Sequence, residues 1–115
     1  MPGPPYRAPM ADWTAALPID ELPLATSTVV TLQEGKVLLY RTEERIYAIA
    51  NRCTHQGAPL DRGVVKAGAD PSVTCPAHGS VFRLADGRVM RPPAGTSLPT
   101  FEVRVTDGMV ELRPS

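Results

Sequence analysis

Four side chains in this chain can hold a soft or borderline metal: Cys53, His55, Cys75 and His78. They are its only two cysteines and only two histidines, and all fall within 26 residues. The pattern is C-x-H, a gap of 19 residues, then C-x2-H. Each short segment supplies one thiol and one imidazole from among turn-forming residues, so two loop tips can bring the four together. Two thiolates and two neutral imidazoles suit zinc or an iron–sulfur centre. Structural zinc sites usually pair like with like, C-x2-4-C and H-x3-5-H, whereas here each segment mixes the two ligand types. That mixture lets two loops clamp both irons of a 2Fe–2S centre in which two His replace two Cys on one iron. Cys53 and Cys75 would then hold one iron, and His55 and His78 the other. A Cys–His nucleophile dyad is the weaker reading, because nothing else in these segments resembles an orienting acid or an oxyanion hole.

Charge counting says what such a centre would do. Four thiolates would make the oxidised 2Fe–2S site a dianion and the reduced one a trianion. Two thiolates with two neutral imidazoles make the oxidised site neutral and the reduced site only a monoanion. Adding an electron to a neutral site in a low dielectric is easier, so the reduction potential rises relative to an all-Cys site. Oxidised iron should also acidify the outer ring N–H of both histidines, so the potential should fall with pH above that pKa.

The elements that must position these residues read as short strands. Thr26–Leu32 (TSTVVTL) is β-branched, Lys36–Arg41 (KVLLYR) returns after Glu34-Gly35, and Arg45–Ala50 (RIYAIA) follows Glu43-Glu44, a three-stranded meander. Ala11–Leu17 reads as a first strand with Trp13 as a core or edge anchor, and Pro18–Leu22 as a helical turn. Asn51 to Pro71 is irregular. Ser72–Cys75 and Ser80–Leu84 are short strands flanking Pro76-Ala77-His78-Gly79, with a turn at Asp86-Gly87 and a loop over Arg91–Leu98. In Phe101–Val105 apolar residues alternate with charged ones, Asp107-Gly108 is a favoured hairpin turn, and Val110 and Leu112 face inward on the last strand. The fold class is all-β. Residues 1–10 read as a flexible N-terminal arm, with Met10 an alternative start, and 11–115 as one domain. The four candidate ligands sit on an excursion at about residues 51–83.

Two stretches, Asn51-Arg52-Cys53-Thr54-His55-Gln56-Gly57-Ala58-Pro59-Leu60 and Cys75-Pro76-Ala77-His78-Gly79-Ser80-Val81-Phe82, resemble the Rieske-type 2Fe–2S ferredoxins. The resemblance runs from about Ala11 to the final hairpin. It implies three stacked antiparallel sheets, with a cluster-binding subdomain inserted at about 51–83 and one 2Fe–2S cluster at one tip. It also implies Cys53, His55, Cys75 and His78 as ligands, with the His edges near solvent. Around them, Gly57 and Gly79 would permit tight turns or bring their N–H groups to the sulfides. Leu60 would shield the cluster from water, and Pro92-Pro93 would belong to a third loop covering it from the side. The cytochrome-bc branch of the family has an extra Cys in each loop, joined as a disulfide. Ala58 and Ala77 stand at those positions. Gln56 stands where that branch has Leu. Ser80 keeps a hydroxyl donor, but Phe82 replaces a Tyr that would supply another.

The resemblance implies a soluble one-electron carrier. It would pass electrons from a reductase to a terminal enzyme, such as the oxygenase of a multicomponent aromatic-ring system. Alternatives are the small subunit of an assimilatory nitrite reductase and, in another class, a zinc-stabilised binding module. The chain is expected to be no enzyme by itself and to take no small-molecule substrate. A second, mononuclear iron needs two His and a carboxylate, and both His are already used. There is no flavin or nicotinamide motif. The 12 basic and 12 acidic residues argue against a nucleic-acid binder. No run of roughly 18 apolar residues suggests a membrane span. Thirteen Pro and nine Gly fit short strands and many turns. The expected location is the cytoplasm, where thiols stay reduced. Residues 51–91 carry six basic and three acidic groups. Arg52, Arg62, Lys66, Arg83, Arg88 and Arg91 are therefore candidates to steer an acidic docking face. With Ser80 retained and the Tyr hydroxyl lost, the potential should fall at roughly −150 to +50 mV, the lower half of the range for such centres. Redox titration checks this, and a value above about +200 mV would contradict it.

Overall fold

The computed structural model describes residues 13–115. The expected arm at 1–10, and Ala11 and Asp12 of the expected first strand, lie outside the described residues. Ten strands, β1 to β10 in chain order, form three antiparallel sheets. The first sheet has the order β1 (Thr14–Pro18), β10 (Met109–Pro114), β9 (Phe101–Thr106). The second is β2 (Ser27–Leu32), β3 (Gly35–Arg41), β4 (Ile46–Ala50). The third is β5 (Val64–Lys66), β6 (Ser72–Thr74), β7 (Val81–Arg83), β8 (Val89–Arg91).

The second sheet is the middle layer, and its sequence shows why. In β3 the four residues Val37, Leu38, Leu39 and Tyr40 are all buried. Side chains alternate across a strand, so a continuous apolar run implies burial on both faces. Val37 and Leu39 pack with Ala48, Val110 and Leu112 against the first sheet. Leu38 and Tyr40 pack with Tyr47, Ile49, Leu60, Val73, Phe82 and Leu98, the core that also contains Cys53 and Cys75. One core holds the scaffold together and the other seats the thiols.

The two edges of the molecule have separate locks. An isolated bridge Ile49↔Thr100 and the Ala50 N–H to Pro99 carbonyl bond (2.9 Å) join the middle sheet to β9. The β9–β10 hairpin turns at Asp107-Gly108 with positive φ at both residues, as its sequence requires. Trp13 is an edge anchor: the guanidinium groups of Arg104 and Arg113 lie over its ring, each 4.4 Å from the centroid. Those arginines also pair across the strands with Glu111 (2.6 Å) and Glu102 (2.7 Å). At the β7–β8 turn, the Arg88 N–H to Asp86 bond, with Arg83 nearby, holds the Asp86 carboxyl below its usual pKa. That turn therefore loses support as pH falls through the lowered pKa, and not on the alkaline side.

The expected strands are present within a few residues, and Pro18–Leu22 contains a 3-10 turn at Ile19–Glu21. Two strands go beyond the sequence reading. β5 lies inside the stretch read as irregular, and β8 precedes the third loop, so the excursion extends past residue 83 to Arg91. Three residues are too few for a period-2 pattern to register.

Because Leu112 belongs to the scaffold core and not to the core seating the thiols, Leu112→Ala should lower unfolding free energy by about 2–5 kcal/mol. The visible spectrum of the folded protein should not change. Chemical denaturation followed alongside absorbance checks this, and a small loss or an altered spectrum would contradict the division into two cores.

Candidate metal centre

Cys53 and Cys75 begin two loops whose backbones close in the same way. The Cys53 N–H donates to the Ala58 carbonyl (2.8 Å), and the Gly57 N–H donates to the Cys53 carbonyl (2.7 Å). In the second loop the Cys75 N–H donates to the Ser80 carbonyl (2.7 Å), and the Gly79 N–H donates to the Cys75 carbonyl (3.1 Å). Each loop thus returns on a glycine four residues after its cysteine. Both glycines sit at positive φ, +79° and +82°, where a side chain would be strained. Of the two roles open to them, the structure shows the turn: their N–H groups are spent on the cysteine carbonyls.

This frame sets an inner and an outer pair of donors. Both thiols are 2% exposed, and both imidazoles are exposed. The His55 and His78 rings lie edge-to-face with centroids 5.2 Å apart. His55 is two residues after its cysteine and His78 three. The equal loop closures absorb that difference, so the unequal spacing C-x-H and C-x2-H still brings the rings together. Among the described residues no three His, Cys, Asp or Glu side chains gather as one metal ion would require. Two donor pairs at different depths fit a binuclear group better than a single four-ligand zinc ion. Both cysteines are free, as Ala58 and Ala77 imply.

Three further contacts fix the loops, and none was evident from sequence. Asn51, 7% exposed, donates through Nδ2 to Asp61 Oδ1 (2.7 Å) and accepts the Asp61 N–H at Oδ1 (2.8 Å). This double clamp ties the entry of the first loop to the 3-10 turn Leu60–Arg62. Thr54 Oγ1 donates to the Thr96 carbonyl (2.5 Å). Ser80 Oγ, fully buried, accepts the Ala94 N–H (3.0 Å), which leaves its own hydroxyl proton to donate. Thr96 and Ala94 belong to the third loop. Pro92 and Pro93 in that loop are joined by a cis peptide and are exposed, while Ala94 and Leu98 enter the core with the thiols. Leu60 and Phe82 are fully buried in that core. The only sequence hint of the Asn51 clamp is a polar residue at the end of an apolar strand. Its partner lies ten residues on, and no periodicity marks it.

Residues 12–113 match the family described as the Rieske-like [2Fe-2S] domain. Among curated proteins, apoptosis-inducing factor 3 of Mus musculus is 37% identical over 75% of this chain. The chain spans only 14% of that relative's length. A 3-phenylpropionate/cinnamic acid dioxygenase ferredoxin subunit of Escherichia coli is 31% identical over 90% of this chain and 86% of its own. Among solved structures, the ferredoxin of carbazole 1,9a-dioxygenase from Nocardioides aromaticivorans has a TM-score of 0.81 at 25% identity, covering 90% of this chain and 98% of that one. A Mycobacterium tuberculosis chain described as an NADH-dependent nitrite reductase small subunit has a TM-score of 0.74 at 30% identity, covering 88% and 93%.

Asn51→Ala removes both clamp bonds and should cost about 1–3 kcal/mol of stability. It should also speed the loss of bound iron to a chelator. Denaturation midpoints and the rate of bleaching measure the two effects. An unchanged midpoint with unchanged iron retention would contradict the clamp.

Proposed function

The chain belongs to the Rieske-like [2Fe-2S] domain family, and on that premise we propose that it is a one-electron carrier. It takes an electron from a reductase and delivers it to a terminal enzyme of the aromatic-ring oxygenase kind. The observation that carries this reading is the pair of buried thiols set behind a pair of exposed imidazoles. When bound, the cluster supplies reversible exchange of one electron at a potential raised by its two neutral ligands.

Each residue has a defined task in this reading. Cys53 and Cys75 hold the inner positions, and their burial keeps water from the thiolates. His55 and His78 hold the outer positions and present ring edges to a partner. Ser80 donates its remaining hydroxyl proton toward sulfur, stabilising the added negative charge. Leu60, Phe82 and Ala94 exclude water around the thiols. Gly57 and Gly79 shape the loops. In this reading the chain serves as an electron-transfer component of a larger oxidoreductase system, as the ferredoxin components it resembles do.

The oxygenase assignment is supported by the likeness to ferredoxin components that match nearly their whole length. A second reading, a nitrite reductase small subunit, is supported by the 30% identical Mycobacterium tuberculosis chain. Cytoplasmic location fits the need to keep both thiols reduced until the cluster is inserted. Among the described residues no helix is long and apolar enough to cross a membrane.

Anaerobically prepared protein should be red-brown, contain iron and acid-labile sulfide in equal amounts, and take up one electron per chain in a reductive titration. A colourless protein that binds zinc and no sulfide after reconstitution would overturn the proposal.

A further inference from the structure

Six cations of residues 51–91 stood as candidates to steer a partner, and the structure separates them. Arg83 is spent on the fold, paired with Asp70 at 3.2 Å and Asp86 at 3.3 Å. Lys66 lies at the far end of β5 from the 3-10 turn, opposite Ser72. Arg52 and Arg62, by contrast, share one hollow with Lys36, beside Gly57 and Pro59 of the first loop. The hollow measures about 590 Å³, room for more than one incoming side chain. Lys36, Arg52 and Arg62 have no ion-pair partner among the described residues. Two carboxylates also line the hollow, Glu34 and Asp61, and Asp61 already accepts from Asn51.

Arg52 connects this hollow to the metal centre. It also lines the adjoining hollow, which contains Cys53, His55, Gln56 and Thr96, with Glu34 at its edge as well. Its side chain lies across Gly57: a Cβ there would stand 3.2 Å from Arg52 Nε. Three cations against two carboxylates, one of them already bonded to Asn51, leave the first loop with a positive excess next to the exposed His55. Among the described residues, the opposite end of the molecule has no such excess of cations facing one hollow. Glu43 and Glu44 occupy the far turn of β3–β4 and share a hollow with Arg41, Arg45 and Val105, where the charges balance. The β9–β10 turn, with Asp107, is bonded to Ile19 at that end. The five residues of β4 separate the two ends by about 16 Å or more.

We infer that the Lys36–Arg52–Arg62 hollow is the docking anchor for a redox protein that presents carboxylates beside its own centre, and that it directs that partner to the His55 side of the tip. The inference rests on the carrier reading. The three cations near the tip draw the partner's carboxylates to the first loop, and the hollow receives them on contact.

The test uses reduced holoprotein, ferricyanide as a small anionic oxidant, and poly-L-glutamate as a stand-in for an acidic protein surface. At about 10 mM ionic strength, where charges are felt over roughly 30 Å, the double variant R52Q/R62Q should react with ferricyanide about fivefold more slowly or worse. Inhibition by poly-L-glutamate should weaken by a similar factor. The control K66Q/R88Q removes the same charge elsewhere and should stay within about twofold of the parent. Near 1 M salt the differences should vanish, because the screening length falls to about 3 Å. The pair K36Q/R62Q leaves Arg52 on Gly57, so it should show the same sign of effect with the loop undisturbed. Equal slowing by both R52Q/R62Q and K66Q/R88Q, or slowing by neither, overturns the inference while the visible spectrum and one-electron titration still support the carrier. Parent protein lacking that spectrum overturns the carrier reading itself.

Discussion

The whole site depends on one backbone constraint used twice: a glycine N–H returning to the carbonyl of the cysteine four residues before it. That closure makes each loop rigid without help from a disulfide, and it fixes the thiol on the inside of the turn. The imidazoles, two residues after Cys53 and three after Cys75, are left on the outside. Depth then follows from chain geometry. The cysteines join the apolar core with Leu60, Val73 and Phe82, and the histidines stay at the surface. A donor set graded this way would place the softer, charged thiolates where water is excluded and the neutral imidazoles where a partner can touch them.

The rest of the molecule is a mount for those two turns. A middle sheet buried on both faces gives the mount stiffness, and the third loop braces the cluster loops through Thr54–Thr96 and Ser80–Ala94. Asn51 and Asp61 join the start of the first loop to the turn that follows it. These are polar contacts at the edge of an apolar core, where a lost partner is costly. The site is therefore precise although its loops contain few regular elements.

Much of this was legible in the residues. The four candidate ligands stood out by type and spacing. The apolar run in Lys36–Arg41 marked a strand, its burial on both faces emerging only from the structure, and Asp107-Gly108 marked the β9–β10 hairpin. What sequence did not show was non-local. β5 and β8 are too short to carry a period, and they exist because β6 and β7 offer them edges to pair with. The Asn51 clamp, the Thr96 and Ala94 braces, and Trp13 between Arg104 and Arg113 each join residues whose separation follows no repeat. The charge hint needed structure for a different reason. Six cations were named along the chain, and the structure pairs Arg83 with Asp70 and Asp86 while it places Arg52 and Arg62 in one hollow with Lys36 of β3.

The central claim is that two imidazoles and two thiolates share one binuclear centre. Pulsed electron–nuclear spectroscopy on reduced protein labelled with 15N only in histidine tests it most directly. The account predicts coupling to two distinct histidine nitrogens, one lost in each of His55→Cys and His78→Cys. A reduced centre with no histidine nitrogen coupling, or with coupling that survives both substitutions, would contradict it.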